Sequence, residues 1–193
     1  MTGRLAGALR ALRSGGLVVY PTDTLVGLGA RATDRAAVDR LLRAKDRPDG
    51  MPVSIALSSL EEAERFASFS AMARRYARQH VPGPVTLLLP PTAWGRRTLT
   101  GAVTGPGRAI GIRVPDHPVA RELAREVGPI TCTSANRHGD PPVTTLAQAR
   151  REFGRSVDVY LPLVPPPSGH PSALVDLTGA EPRIIERRAR PAP

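Results

Sequence analysis

Leu17-Val18-Val19-Tyr20-Pro21-Thr22-Asp23-Thr24-Leu25-Val26-Gly27-Leu28-Gly29 is the stretch from which the fold can be read. Its first four residues are apolar and form a buried strand, which Pro21 closes. Directly before it, Arg4 to Ser14 sets Leu5, Ala8, Leu9 and Leu12 on one helical face, and Gly15-Gly16 stops that helix. Directly after it, proline and glycines allow a tight turn with exposed amides, while two hydroxyls and a carboxylate offer donors and acceptors to a small polar ligand. The same Thr and Asp residues would also serve as caps of a strand-to-helix turn.

Outward from this stretch, helices and strands alternate. Asp34 caps a helix carrying Ala37, Val38, Leu41 and Leu42 inward and ending near Lys45. Pro52 to Leu57 reads as a strand, Ser59 to Glu62 has capping-box spacing before a short helix, and Ala71 to His80 is another helix. Val85 to Leu89 is a strand, Trp94 to Arg108 a Gly/Thr/Arg-rich loop, Ala109 to Val114 a strand, His117 to Val127 a helix and Ile130 to Thr133 a strand. A helix at Leu146 to Phe153, a strand at Val157 to Leu161, a Pro-rich loop and strands near Leu174 to Leu177 and Arg183 to Ile185 complete the pattern. Strands interspersed with helices imply an α/β or α+β fold, with helices packed on a sheet. The tail after Arg187 reads as disordered.

Composition bounds the function. With 193 residues and 41% hydrophobic content, the chain can bury one substantial core. Its apolar runs are far shorter than the roughly 20 residues of a membrane span, and Arg4, Arg10 and Arg13 interrupt any signal-peptide core, so a cytoplasmic protein is expected. The lone Cys132 excludes a disulfide framework and a zinc site built on cysteine pairs. A formal charge of +10 suits phosphate-rich partners such as nucleotides or RNA. The basic residues are nearly all arginine, however, as a GC-rich genome would also produce. No Gly-Lys pair exists, so a P-loop is excluded, and Gly27-Leu28-Gly29 is too little for a dinucleotide fingerprint. His80, His117, His138 and His170 lack metal-ligand spacing and read as surface residues.

Polar clusters fall at strand ends, where α/β sheets present ligands. Lys45 and Arg47, two cations at spacing two, suit adjacent phosphates, Lys45 as a mobile point charge and Arg47 as a planar fork. A basic helix end complementing the helix dipole is the alternative. Arg113, inside an apolar strand, must face a cleft or a carboxylate, and a grip on an amino-acid carboxylate would suit it. An internal ion pair is its other reading. Thr131 to Asn136 form a small polar wall for a phosphate or sugar. Ser134 as a nucleophile with His138 and Asp140 is disfavoured, because no G-x-S-x-G elbow is present.

In order, Pro21-Thr22-Asp23-Thr24 with Gly27-Leu28-Gly29, Lys45-Asp46-Arg47, Pro82-Gly83-Pro84-Val85-Thr86, Arg113-Val114-Pro115, Ser134-Ala135-Asn136 and a late Ser172 before an apolar strand resemble the YrdC/TsaC family. The resemblance runs from about Gly15 to Arg187. It implies a YrdC-like catalytic domain over 1–187, with a twisted mixed sheet and flanking helices around a deep basic cleft. It also implies synthesis of L-threonylcarbamoyl-adenylate from L-threonine, bicarbonate and ATP, with release of pyrophosphate, for modification of tRNA adenosine.

The residue roles it implies are threonine contacts at Thr22, Arg113, Cys132 and Ser172, and nucleotide contacts at Lys45, Arg47, Ser134, Asn136 and Arg187. Lys45 and Arg47 would be the catalytic cations. Mg2+ would accompany ATP with no protein ligand assigned, and tRNA or double-stranded RNA and downstream tRNA-modification proteins would be partners. The family's late Ser-Thr pair reads Ser172-Ala173 here, and its Arg-Pro-Gly reads Arg187-Arg188-Ala189. These departures leave two alternatives open: an RNA-binding or regulatory relative without synthase activity, or a carbamoyl-adenylate enzyme of specialised metabolism.

Overall fold

The computed structural model describes residues 3–48, 50–105 and 109–186. The expectations for Arg187 and for the tail at 188–193 lie outside the described residues.

The elements in chain order are α1 (Gly3–Arg13), β1 (Val18–Tyr20), β2 (Gly27–Gly29), α2 (Arg35–Ala44), β3 (Ile55–Ala56), α3 (Leu60–Phe66), α4 (Ala71–His80) and β4 (Val85–Leu89). There follow α5 (Ala93–Thr98), α6 (Gly101–Thr104), β5 (Ile110–Arg113), α7 (Pro118–Val127), β6 (Ile130–Thr131), β7 (Thr133–Ser134), α8 (Leu146–Phe153), β8 (Val159–Tyr160), β9 (Ala173–Asp176) and β10 (Arg183–Ile185). The strands form two mixed sheets, one ordered β7-β2-β1-β8 and the other β10-β9-β4-β5-β3-β6. The α/β fold with flanking helices stands as expected from the sequence.

Helices whose start is fixed locally match their sequence patterns. Asp34 accepts a hydrogen bond from Ala37 N at 3.1 Å, and Ser70 accepts one from Ala73 N at 3.1 Å. At α3 only half the predicted box forms, since Ser59 accepts from Glu62 N while the Glu62 carboxylate turns to Ser58 N and Ser58 Oγ.

Two readings change. The stretch from Trp94, expected to be a loop, contributes α5 and α6, because Thr92 Oγ1 caps Gly95 N at 2.9 Å and starts a helix there. Gly95 is required by close approach: a Cβ on it would sit 2.2 Å from Phe66 O. The run Ile130 to Thr133, expected to be one strand, splits at Cys132, since β6 pairs with β3 in the larger sheet and β7 with β2 in the smaller.

One apolar cluster joins the sheets. Val18 and Tyr20 of β1, Ala56 of β3 and Ile130 of β6 pack with Ala8, Leu9 and Leu12 of α1 and with Ala120, Leu123 and Val127 of α7. Two further clusters lie apart from it, one with Val38, Leu87 and Ile110, the other with Leu28, Leu41 and Phe153. Burial on this scale, at about 25 cal/mol per Å2 of apolar surface, is what fixes the sheets against each other. The polar strand ends then meet along their seam.

Candidate functional site

A cavity of about 170 Å3 opens at that seam. From the smaller sheet it is lined by Thr22, Thr24, Gly27 and Ser134, and from the larger by Ser54, Thr86, Arg113 and Ser172. Cys132 lines it where the chain crosses between sheets, and Arg47 stands at the wall with Pro52 and Val53. Pockets for drug-sized ligands run to roughly 300–1,000 Å3, so this smaller, partly open space matches an amino acid, and a nucleotide would extend beyond it.

Arg113 lies in β5 and is 5% exposed. Its guanidinium donates to Asp23 Oδ1 at 2.6 Å, so both sequence readings hold: it is ion-paired and it faces a cavity. The pair joins the sheets, because Asp23 follows β1. Thr22 Oγ1 is committed locally, donating to Leu25 O at 2.6 Å and accepting from Thr24 N at 3.2 Å. Thr22 therefore both shapes the turn and lines the cavity, but the turn joins β1 to β2 and caps no helix, contrary to the capping alternative. The Ser172 hydroxyl is 2.8 Å from that of Thr86. Ala173, where the family pattern has a hydroxyl, is exposed and absent from the cavity wall; alternation along β9 turns it away from Ser172.

Lys45 differs from the expected mobile point charge. It is 2% exposed, and its Nζ donates to Ser134 O at 2.5 Å and also to Asn136 O. It is a fixed strut behind the 134–136 turn, and Arg47 alone of the two cations lines the cavity. Burial first, then the nearby Arg47 charge, lowers the Lys45 pKa to about 7, against an opposing pull from Glu152. Between about 7 and the ordinary 10.5 the unfolded chain binds more protons than the folded one, so this group makes stability rise with pH. Urea-unfolding free energies measured across that window are expected to show this upward slope, and Lys45→Met to flatten it.

Asn136 is buried and also sits behind the wall, its Nδ2 donating to Arg137 O at 2.8 Å and Asp140 O at 2.7 Å. Arg187 lies outside the described residues. His80, His138 and His170 are exposed as expected, but His117 is not: it is 1% exposed and its Nδ1 accepts from Val119 N at 3.2 Å, capping α7. Capping alone does not bury a side chain, since Ser70 and Thr145 cap their helices and stay exposed; at His117 the backbone of Val164 and Pro165 also meets the ring.

Sequence reasoning did not assign Ser54 or Thr86 to the site, and gave Thr24 no role beyond its place among the hydroxyls of the 21–24 turn. A usable signal existed for Thr86, a hydroxyl inside an otherwise apolar strand. Among the described residues no cluster of three or more His, Cys, Asp or Glu side chains is placed to hold a metal ion. The cavity wall carries hydroxyls, a thiol and guanidinium groups, and nearby Asp23 is engaged by Arg113. The wall offers hydroxyl oxygens but no carboxylate, the protein ligand by which Mg2+ is usually held, so this donor set does not suit a resident Mg2+. No described helix is long and apolar enough to cross a membrane.

The sequence profile of the Sua5/YciO/YrdC family, described as telomere recombination, matches residues 10–188. The chain belongs to the Sua5/YciO/YrdC family. It is 40% identical to a putative threonylcarbamoyl-AMP synthase of Mycobacterium tuberculosis, an alignment covering 98% of this chain and 84% of that protein. Among solved structures, the fold is similar to the H234A/Y235A variant of P. abyssi Sua5, with a TM-score of 0.86 and 31% identity over 94% of this chain and 55% of that one. It is also similar to P. abyssi Sua5 complexed with L-threonine, with a TM-score of 0.83 and 31% identity over 93% of this chain and 52% of that one. The chain thus spans about half the length of the P. abyssi proteins. The YrdC-like architecture inferred from ordered motifs is that of this Sua5/YciO/YrdC member.

Proposed function

We propose that this chain is a threonylcarbamoyl-AMP synthase, making L-threonylcarbamoyl-adenylate from L-threonine, bicarbonate and ATP for modification of tRNA in the cytoplasm, with residues 1–187 as its catalytic domain. The observation that carries the reading is the amino-acid-sized cavity with Arg113 in its wall, in a chain 40% identical to a protein named for that activity. In this reading Arg113 takes the threonine carboxylate, and Thr22, Cys132 and Ser172 surround the rest of the amino acid. The threonine nitrogen bonds to the bicarbonate carbon and water is lost, giving an N-carboxy-threonine; its carbamate oxygen attacks the α-phosphorus of ATP, the bond to the bridging oxygen breaks, and pyrophosphate leaves. No protein nucleophile is needed. Catalysis then rests on in-line placement and on cations facing the leaving pyrophosphate.

In the same reading Arg47 and Ser134, which line the cavity, meet the nucleotide at its mouth, which serves as the basic cleft, and Arg187 keeps the nucleotide role that the family resemblance gives it. Lys45 and Asn136 act behind them by holding the turn on which Ser134 stands. Mg2+ enters as part of the MgATP substrate. Transfer to tRNA would follow through RNA binding or partner tRNA-modification proteins.

Purified protein is expected to release pyrophosphate from ATP only when L-threonine and bicarbonate are both present, read by a pyrophosphatase-coupled phosphate assay. Release indifferent to threonine would sink the proposal, and release driven better by another amino acid would redirect it to a different carbamoyl-adenylate.

A further inference from the structure

Thr86 is the one polar side chain of β4, whose other positions are valine and leucine. It is buried, and its Oγ1 lies 2.8 Å from the Oγ of Ser172, which is also buried and stands just before β9. Both residues line the cavity. As a mere link between strands the pair would do no more than two apolar side chains of the same shape, and β4 and β9 are already joined by their backbone ladder.

The sheet sets Thr86 beside Arg113. β4 and β5 run antiparallel with Leu87 opposite Ile112, and both of those side chains belong to the core. One step further along each strand, alternation sends Thr86 and Arg113 to the opposite face, where both line the cavity. Adjacent strands lie about 4.8 Å apart. In a β-hydroxy amino acid the hydroxyl oxygen is three bonds from the carboxyl carbon, so a carboxylate held by Arg113 brings that hydroxyl within reach of the neighbouring strand.

Other hydroxyls of the wall are less suited. Thr22 Oγ1 donates to Leu25 O and accepts from the amides of Thr24 and Leu25, and Thr24 Oγ1 lies against it at 3.1 Å. Thr133 and Ser134 belong to β7 in the smaller sheet, and Ser54, next to β3, flanks β5 on the side away from β4. Thr86 Oγ1 keeps capacity: a hydroxyl has one proton and two lone pairs, and whichever way its bond to Ser172 runs, that bond leaves a lone pair over.

We propose that Thr86 is a specificity-determining residue: its Oγ1, oriented by Ser172, accepts a hydrogen bond from the side-chain hydroxyl of the substrate, so that the cavity selects a β-hydroxy amino acid over its apolar isostere. The inference rests on the reading of the cavity as an amino-acid site in which Arg113 takes the carboxylate.

Calorimetric titrations with L-threonine and with L-valine, in which a methyl group replaces the hydroxyl, test the assignment. Wild-type protein should bind threonine about tenfold more tightly than valine, as for one buried hydrogen bond. Thr86→Val and Thr86→Ala remove the hydroxyl in two different shapes, so one folded variant suffices. Either should bring the two affinities together, and Thr86→Ser should keep them apart. A purely structural pair would instead weaken both amino acids equally, and a folded Thr86→Val or Thr86→Ala protein that keeps the wild-type preference would overturn the proposal. So would a preference erased by Ser54→Ala and kept by the Thr86 variants, which would move the role to the other flank of Arg113. Wild-type protein that binds threonine and valine equally would overturn the proposal and leave the amino-acid site standing. Binding of neither would overturn the reading of the cavity itself.

Discussion

Arg113→Ala is expected to abolish measurable L-threonine binding while leaving ATP affinity within a few-fold of wild type. Arg113 is 5% exposed and is the guanidinium that meets both Asp23 and the amino-acid-sized space. Truncating one partner of a buried, hydrogen-bonded charge pair costs about 2–5 kcal/mol, roughly 30-fold to several-thousand-fold in affinity. In the proposed reading ATP escapes most of that loss, because its phosphates would face Arg47 and not Arg113. Arg113→Lys should restore little, since a lysine ammonium cannot hold Asp23 and a substrate carboxylate in the planar fork that arginine offers. Thermal stability should fall as well, because the half-buried Asp23 carboxylate is left without its partner. Calorimetric titrations with threonine and ATP separate the two effects. An equal loss for both ligands would show that Arg113 serves the whole site instead of the amino-acid end.

Gly27→Ala should damage stability and both ligand affinities together. Gly27 of β2 lies opposite Tyr20 in β1 and Ser134 in β7, and it lines the cavity. A Cβ there would stand 2.8 Å from Tyr20 Cζ and 2.9 Å from Cε1. The ring cannot step aside easily: Tyr20 is fully buried and its hydroxyl donates to Thr131 O at 3.0 Å. Overpacking of this kind costs about 1–3 kcal/mol, which lowers Tm by roughly 2–12 °C in a domain of this size. The strand must shift to make room, and Ser134 moves with it, so threonine and nucleotide sites both suffer. Gly179→Ala is the control, since a Cβ there meets nothing within 4 Å. A Gly27→Ala protein as stable as that control would mean the Tyr20 contact is slack.

Legibility in the sequence followed how local each interaction is. Ala71–His80 and Leu146–Phe153 were readable to the residue because their caps and apolar faces lie within a few positions of each other. Strand β3 is only Ile55–Ala56, whereas Pro52 to Leu57 looked like one strand; its length is set by partners at 110–113 and 130–131. At α5 a glycine and threonines signalled a loop, yet the glycine is there because Phe66 O approaches too closely for any side chain.

The candidate site divides the same way. Thr22, Arg47, Arg113, Cys132, Ser134 and Ser172 carried their chemistry in plain sight and do line one cavity. Lys45 looked equivalent to Arg47 at spacing two, but a C-cap at Lys45 followed by a left-handed Asp46 (φ 49) turns the one inward and the other to the wall.

What the sequence alone determined was the alternation of helices and strands, the exclusion of a P-loop and of a cysteine-built metal site, and the ordered motifs that identify the family. These depend on residue type and short spacing. Only the tertiary structure decided that two sheets meet at Cys132, that Lys45 and His117 are buried, and that Ala173 faces away from the cavity. Each of those depends on which distant strand or turn completes a hydrogen bond or fills a gap, and contacts of that range leave no periodic trace in the chain.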